Sequence, residues 1–155
     1  MDRLLGATAA VGLMGGVFFA YAVSVMPGLA RTDDRTFVAA FQSIDRAVIN
    51  PVFLLACLGA LVLSAAAAVL LIGERPALRW ALASFALYAA VVVITGRVRL
   101  PRNNALESAG EADRIDATAA RERFGEAAWT RWNTVRVLLC LASLGCLAAA
   151  LIAFA

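Results

Sequence analysis

Four stretches of this chain, Leu4–Ala30, Pro51–Ile72, Trp80–Gly96 and Val137–Ala155, contain no Asp, Glu, Lys or Arg. Each is near or above the length of about 20 apolar residues that a helix needs to cross a hydrocarbon core of about 30 Å. They take up more than half of the 155 residues, and a mean hydropathy of +0.82 leaves little for a soluble domain. The sequence therefore predicts an all-α, polytopic membrane protein. A single membrane domain over residues 1–155 is expected, folded as an up-down four-transmembrane-helix bundle.

The charges lie at the ends of those helices. All 14 basic residues are arginine, set against 11 acids, for a net charge of +3. Eleven arginines fall in the first and third loops with their helix edges, while Arg3, Arg75 and Arg79 lie on the other side. The positive-inside rule places those two loops in the cytoplasm and both termini outside, as in a multi-pass protein of the cell membrane. Nine acids share the same loops, so some of these arginines can serve pairing or function instead of topology.

Histidine is absent, which weighs against haem, copper, zinc and non-haem iron. Cys57, Cys140 and Cys146 all lie inside predicted spans without a CxxC pair. They read as small packing residues, not as a redox relay. No Gly-rich phosphate loop provides for a dinucleotide. No cofactor and no nucleic-acid partner is expected; the lipid bilayer is.

The first apolar run follows Arg3 and ends in Gly28-Leu29-Ala30, which resembles a cleavage site, but it is too long for a signal-peptide core. Gly12, Gly16 and Ala20 recur every four residues, a pattern that permits close helix approach in lipid or a homo-oligomer contact. This helix is expected to end near Pro27. In Arg31–Asn50, Thr32 or Asp33 can cap a short helix with Phe37, Phe41 and Ile44 on one face. Such a helix is either an interfacial segment or a partial lid over the bundle. Asn50-Pro51 opens the second span, and the tight connection Gly73–Leu78 makes the second and third helices antiparallel neighbours. The third span is expected to finish near Gly96, with Pro101 breaking the helix so that Asn103 and Asn104 turn back. Glu107–Asp116 reads as a solvated linker. From about Ala117 a helical pattern runs into the fourth span, broken at most by Gly125.

Trp129, Trp132, Asn133 and Arg136 occupy positions i, i+3, i+4 and i+7, one stripe of a helix. The stripe reads either as an aromatic belt with a snorkelling arginine or as part of a site, since charge at such depth is costly unless paired or used. Thr95 and Arg99 share a face at the end of the third span. Gln42, Asp45 and Asn50 from the first loop can converge with Asn103, Asn133 and Arg136 over the mouth of the bundle. An apolar pocket with an amide- and guanidinium-rich rim would result, the form taken by sites for largely apolar ligands.

The strings Phe18-Phe-Ala-Tyr-Ala-Val-Ser-Val-Met-Pro27, Phe41-Gln-Ser-Ile44 and Asn50-Pro-Val-Phe53 resemble the first half of the anthrone oxygenase-like family of small membrane proteins. Leu100-Pro-Arg-Asn-Asn-Ala-Leu106 and Trp129-Thr-Arg-Trp-Asn-Thr-Val-Arg136 resemble its second half. Asp45 stands where the family pattern more often has Asn. The resemblance implies cofactor-independent oxygenation of a flat, hydrophobic polyketide anthrone to an anthraquinone by some members. On that reading Trp129 and Trp132 stack the rings, and Arg136, Asn133 and Asn103 stabilise the developing oxyanion. Asp45 is the candidate base, while Gln42, Asn50, Thr95, Arg99 and Asn104 complete the substrate-binding rim. Two other classes stay open: a non-catalytic binder or transporter of a small hydrophobic molecule, and an accessory membrane subunit. No span carries a carboxylate, which counts against proton-driven antiport.

Overall fold

The computed structural model describes residues 2–154, with side chains from Leu4 onward. The side chain of Arg3, expected as a topology marker, and Ala155, at the end of the expected fourth span, lie outside what is described. The described residues are all helical apart from short connections. Helix α1 (Asp2–Ala20) passes through a π-turn, Tyr21–Val25, into α2 (Met26–Leu29). Helix α3 (Asp34–Val48) precedes α4 (Pro51–Leu70). Helix α5 (Arg75–Ile94) passes through a second π-turn, Thr95–Arg99, into α6 (Leu100–Ser108). Helix α7 (Ala117–Phe124) leads into α8 (Glu126–Phe154).

Four of the resulting rods are long and apolar enough to cross a membrane: Leu4–Leu29, Pro51–Leu70, Arg75–Ser108 and Ala117–Phe154. Helices α1, α4, α5 and α8 form a closed ring, each against its neighbours in chain order, with α8 returning to α1. The interior is lined by small residues such as Ala7, Ala60, Ala67, Ala81 and Ala150, with Met14, Tyr88 and Leu147 between them. Lipid tails are as apolar as leucine, so close packing and interhelical hydrogen bonds must supply the association. The Ser84 and Ser143 hydroxyls meet at 2.7 Å, and the Tyr88 hydroxyl donates to the Cys57 carbonyl at 3.1 Å. Each such bond contributes roughly 0.6 kcal/mol in a membrane. Val52, Leu55, Val62 and Val69 on α4, and Leu138, Leu141 and Ile152 on α8, point outward, where hydrocarbon can cover them.

Several sequence expectations need correction. Of the three glycines Gly12, Gly15 and Gly16, it is Gly15, outside the four-residue pattern, that packs most tightly on α8, while Gly12 meets only the Leu144 side chain there. A Cβ on Gly15 would meet the Cys140 Cβ at 3.2 Å, whereas one on Gly16 would meet nothing within 4 Å. The third rod starts at Arg75, because Pro76 sits in a first turn where no backbone donor is required. It then continues past both Gly96 and Pro101 to Ser108, so Asn103 and Asn104 do not turn back. The first rod includes Pro27 and ends at Leu29, close to the expected end.

Both prolines are tolerated for one reason. A proline ring normally collides with the carbonyl four residues earlier, but each of these follows a π-turn by two residues. Met26 N–H donates to the Tyr21 carbonyl, and Leu100 N–H donates to the Thr95 carbonyl. The wider i→i+5 turn absorbs the misfit and lets the rod continue.

Beyond one end of the bundle lies a cap. Asp33 caps α3 by accepting from Thr36 N–H at 3.0 Å, which places Phe37 and Phe41 inward. The α3 helix is thus the lid alternative, packed on α6 and α7. Asp116 caps α7, and Gly125 ends it at φ +68°, a left-handed conformation that only glycine adopts freely. The cap core joins Met26, Phe37, Val38, Phe41, Leu106, Phe124 and Trp129. Phe41 lies 4.6 Å from Phe124 and 5.6 Å, edge-on, from Trp129 between ring centroids.

Candidate functional site

The two π-turns face the seam between bundle and cap, and each begins with a polar side chain there: Tyr21 on the first rod, Thr95 on the third. The second π-turn also re-aims Arg99 inward, leaving it 8% exposed. From α8, Asn133 and Arg136 point into the same seam, one turn apart.

Asn133 organises the cationic half. Its Nδ2 donates to the Phe18 carbonyl at 2.9 Å, which fixes the amide so that Oδ1 faces inward. That single oxygen accepts from Arg99 Nη1 at 3.0 Å and from Arg136 Nη2 at 2.7 Å. Arg136 Nη1 also donates to Thr95 Oγ1 at 3.0 Å. The Arg99 guanidinium carbon lies 3.4 Å from the centroid of the Trp129 ring, and that of Arg136 3.9 Å from the centroid of Phe18. Such stacking offsets part of the cost of burying a cation. Neither arginine takes part in an ion pair among the described residues, and the Nε of each is buried without a partner.

The anionic half is a chain of fixed direction. An indole N–H can only donate, so Trp129 Nε1 on Asn103 Oδ1 (3.0 Å) turns the amide nitrogen outward. That nitrogen donates to Asp45 Oδ1 at 2.6 Å. Burial raises the Asp45 carboxyl above its ordinary range and Glu107 adds to this, while the bond from Asn103 opposes it. A carboxylate so placed is a stronger base than an exposed aspartate.

The two halves line one cavity of about 70 Å³. Asp45, Thr95, Arg99, Asn103 and Arg136 form its polar wall, and Phe18, Tyr21 and Phe53 are among its aromatic and apolar lining. Ile49 and Leu100, both partly exposed, stand at its mouth. A larger groove of about 550 Å³ beside Asp34 and Arg121 is more open, and Asp34, Arg121 and Glu126 on its wall are already paired with one another.

Of the residues expected from sequence, Asp45, Thr95, Arg99, Asn103 and Arg136 come together on the cavity wall, with Asn133 directly behind them. The other five sit elsewhere. Trp129 is fully buried beneath Arg99, so its ring is not open to stack on a substrate as expected, and its Nε1 is spent on Asn103. Trp132 and Asn104 are not on the cavity wall, and Asn104 is exposed. Gln42 is buried and donates to the Leu106 and Gly110 carbonyls at 2.9 and 3.0 Å, closing the end of α6. Asn50 caps α4 by accepting from Phe53 N–H at 3.0 Å. Tyr21, Phe18 and Phe53 were not foreseen. The available signal for Tyr21 was its six-residue spacing to Pro27, which Thr95 and Pro101 repeat.

Among the described residues no three His, Cys, Asp or Glu side chains cluster as a metal site. The family model for anthrone oxygenase matches residues 37–146, more than two thirds of the chain. No curated protein and no solved structure matches it. The matched segment holds Asp45, Asn103, Asn133 and both buried arginines.

Proposed function

The chain belongs to the anthrone oxygenase family, and we propose on that premise that it oxygenates a flat, weakly acidic, hydrophobic substrate of the anthrone type. The observation that carries this reading is the pair of buried guanidiniums sharing one amide oxygen with no carboxylate in contact. Buried cations left in this state favour an anion. The anion supplied by an anthrone is its enolate, whose charge rests on oxygen. Arg99 and Arg136 stabilise that oxygen as it forms, the task preorganised donors perform in many active sites.

Asp45 is the base that removes a proton from the acidic ring carbon. The resulting carbanion transfers an electron to dioxygen, and recombination gives a carbon-bound peroxide. Loss of water then leaves the ketone, so one dioxygen yields one carbonyl oxygen and one water. The cavity of about 70 Å³ takes the reacting edge and dioxygen. The remaining rings lie in the mouth between Ile49 and Leu100, which a substrate dissolved in the bilayer reaches directly.

Oxygen uptake by protein in nanodiscs tests this. Anthrone should be converted to anthraquinone with one dioxygen consumed per turnover, above the spontaneous rate. Arg136→Ala should slow turnover about 100- to 1,000-fold, while Arg75→Ala, at the far end of α5, should leave it unchanged. Anthrone binding without uptake above background would favour a binder. Loss of uptake in Arg75→Ala with full uptake in Arg136→Ala would place the site at the wrong end.

A further inference from the structure

Asp45 can account for one proton, yet the reaction removes two from the same carbon at different stages. The cavity wall holds a second group able to handle one. Tyr21 opens the first π-turn, lines the cavity with Asp45 and Arg136, and its ring packs 5.9 Å from Trp129. Among the described residues its hydroxyl has no hydrogen-bond partner, whereas the amides and Thr95 on that wall are engaged. A phenol is both a donor and an acceptor: it keeps its proton at neutral pH and can give it to a strong base such as a peroxide anion.

Resting on the oxygenase reading above, we propose that Tyr21 is the general acid for the peroxide stage and the base for the final elimination. The steps balance as follows. Asp45 carboxylate takes the first proton from the ring carbon, and the carbanion joins dioxygen to give a peroxide anion. The Tyr21 hydroxyl protonates that anion, leaving a hydroperoxide and a tyrosinate. The tyrosinate takes the second proton from the same carbon; the carbonyl forms, the O–O bond breaks and hydroxide leaves. Hydroxide takes the proton held by Asp45, giving water and restoring both side chains. Dioxygen is the sole oxidant and accepts all four electrons.

The division of labour can be read by separating the two stages. Without oxygen, exchange of the acidic ring proton with deuterated solvent, corrected for the spontaneous rate, reports the Asp45 step alone. Tyr21→Phe, which keeps the ring packing, should exchange at the wild-type rate but form quinone about 100-fold or more slowly. It should also release hydroperoxide or coupled radical products. Asp45→Asn should lose exchange and oxygenation together. Full quinone formation by Tyr21→Phe would overturn the proposal, as would loss of exchange in that variant while it still binds substrate. If the wild type neither exchanged the proton nor formed quinone, the oxygenase reading itself would fall, and the tyrosine's role with it.

Discussion

Arg46 and Arg121 in the cap each meet two carboxylates, whereas Arg99 and Arg136 in the seam meet none. Arg46 reaches Glu107 and Glu111 from an exposed position, and Arg121 binds Asp34 at 3.0 Å and Glu126 at 2.8 Å. The same side chain type thus serves two ends. In the cap, arginines tie α3, α6, α7 and α8 together by ordinary ion pairing. In the seam, two of them are held by an amide, a hydroxyl and two aromatic faces, which leaves their charge available. Cation burial without an anion costs stability, and a fold that keeps it must offset the cost elsewhere. On the function proposed above, the contrast is that between an element that locks the fold and one that receives a substrate.

The sharpest way to break this comparison is to alter the carboxylate that faces the seam but pairs with neither arginine. Asp45→Asn should lower turnover about 100- to 10,000-fold while the protein stays folded, because an amide oxygen can still accept from Asn103. Its pH behaviour follows from burial. The folded carboxyl titrates above its ordinary value, so the acid limb of kcat/KM should lie above about pH 4. The sign for stability is the reverse of the usual carboxylate case. Stability present below the ordinary aspartate pKa is lost as pH rises through the raised folded value. Asp45→Asn should remove that loss, so its Tm at neutral pH should equal or exceed that of the wild type. A drop in Tm at neutral pH, with activity kept, would mean that Asp45 belongs with the locking residues.

The sequence made half of this contrast legible. Charge-free runs located the four spans, and Asp33, Asn50 and Asp116 announced helix starts through simple cap chemistry. The stripe ending in Asn133 and Arg136 was readable from helical spacing alone. The rest depended on where the ladder slips. A proline in a long apolar helix reads as a break, but a π-turn placed just before it lets the rod continue. That slip decides that Asn103 faces inward and Asn104 outward. Trp129 was misread for another reason: spacing assigns a face but says nothing of what covers it. The aromatic cluster of α3 and α7 that buries the ring joins residues far apart in sequence.

On the locking side, Arg121→Ala should act on stability before activity. Arg121 also donates to the Thr32 carbonyl at 3.1 Å and is largely buried, so its removal leaves two carboxylates facing each other. A loss of roughly 2 kcal/mol follows from the charge-assisted hydrogen bonds given up, seen as a lower Tm or faster proteolysis of the α2–α3 connection. Turnover per folded molecule should change little. Equal loss of both quantities would show that cap and seam are one unit.

The smallest effect is expected at Arg46, and it refines the comparison more than it challenges it. Arg46 and Glu111 are well exposed and Glu107 partly so, and there water and salt screen an ion pair and side-chain ordering offsets much of the attraction. Yet Glu107 also helps raise the Asp45 carboxyl, so Arg46 partly masks a charge that bears on the site. Arg46→Gln should therefore leave Tm nearly unchanged but move the acid limb of kcat/KM to slightly higher pH at low ionic strength. In 1 M salt, with a screening length of about 3 Å, the limb should return to the wild-type position. A shift that persisted in high salt would have to come from movement of α3, and the cap would then be setting the geometry of the base.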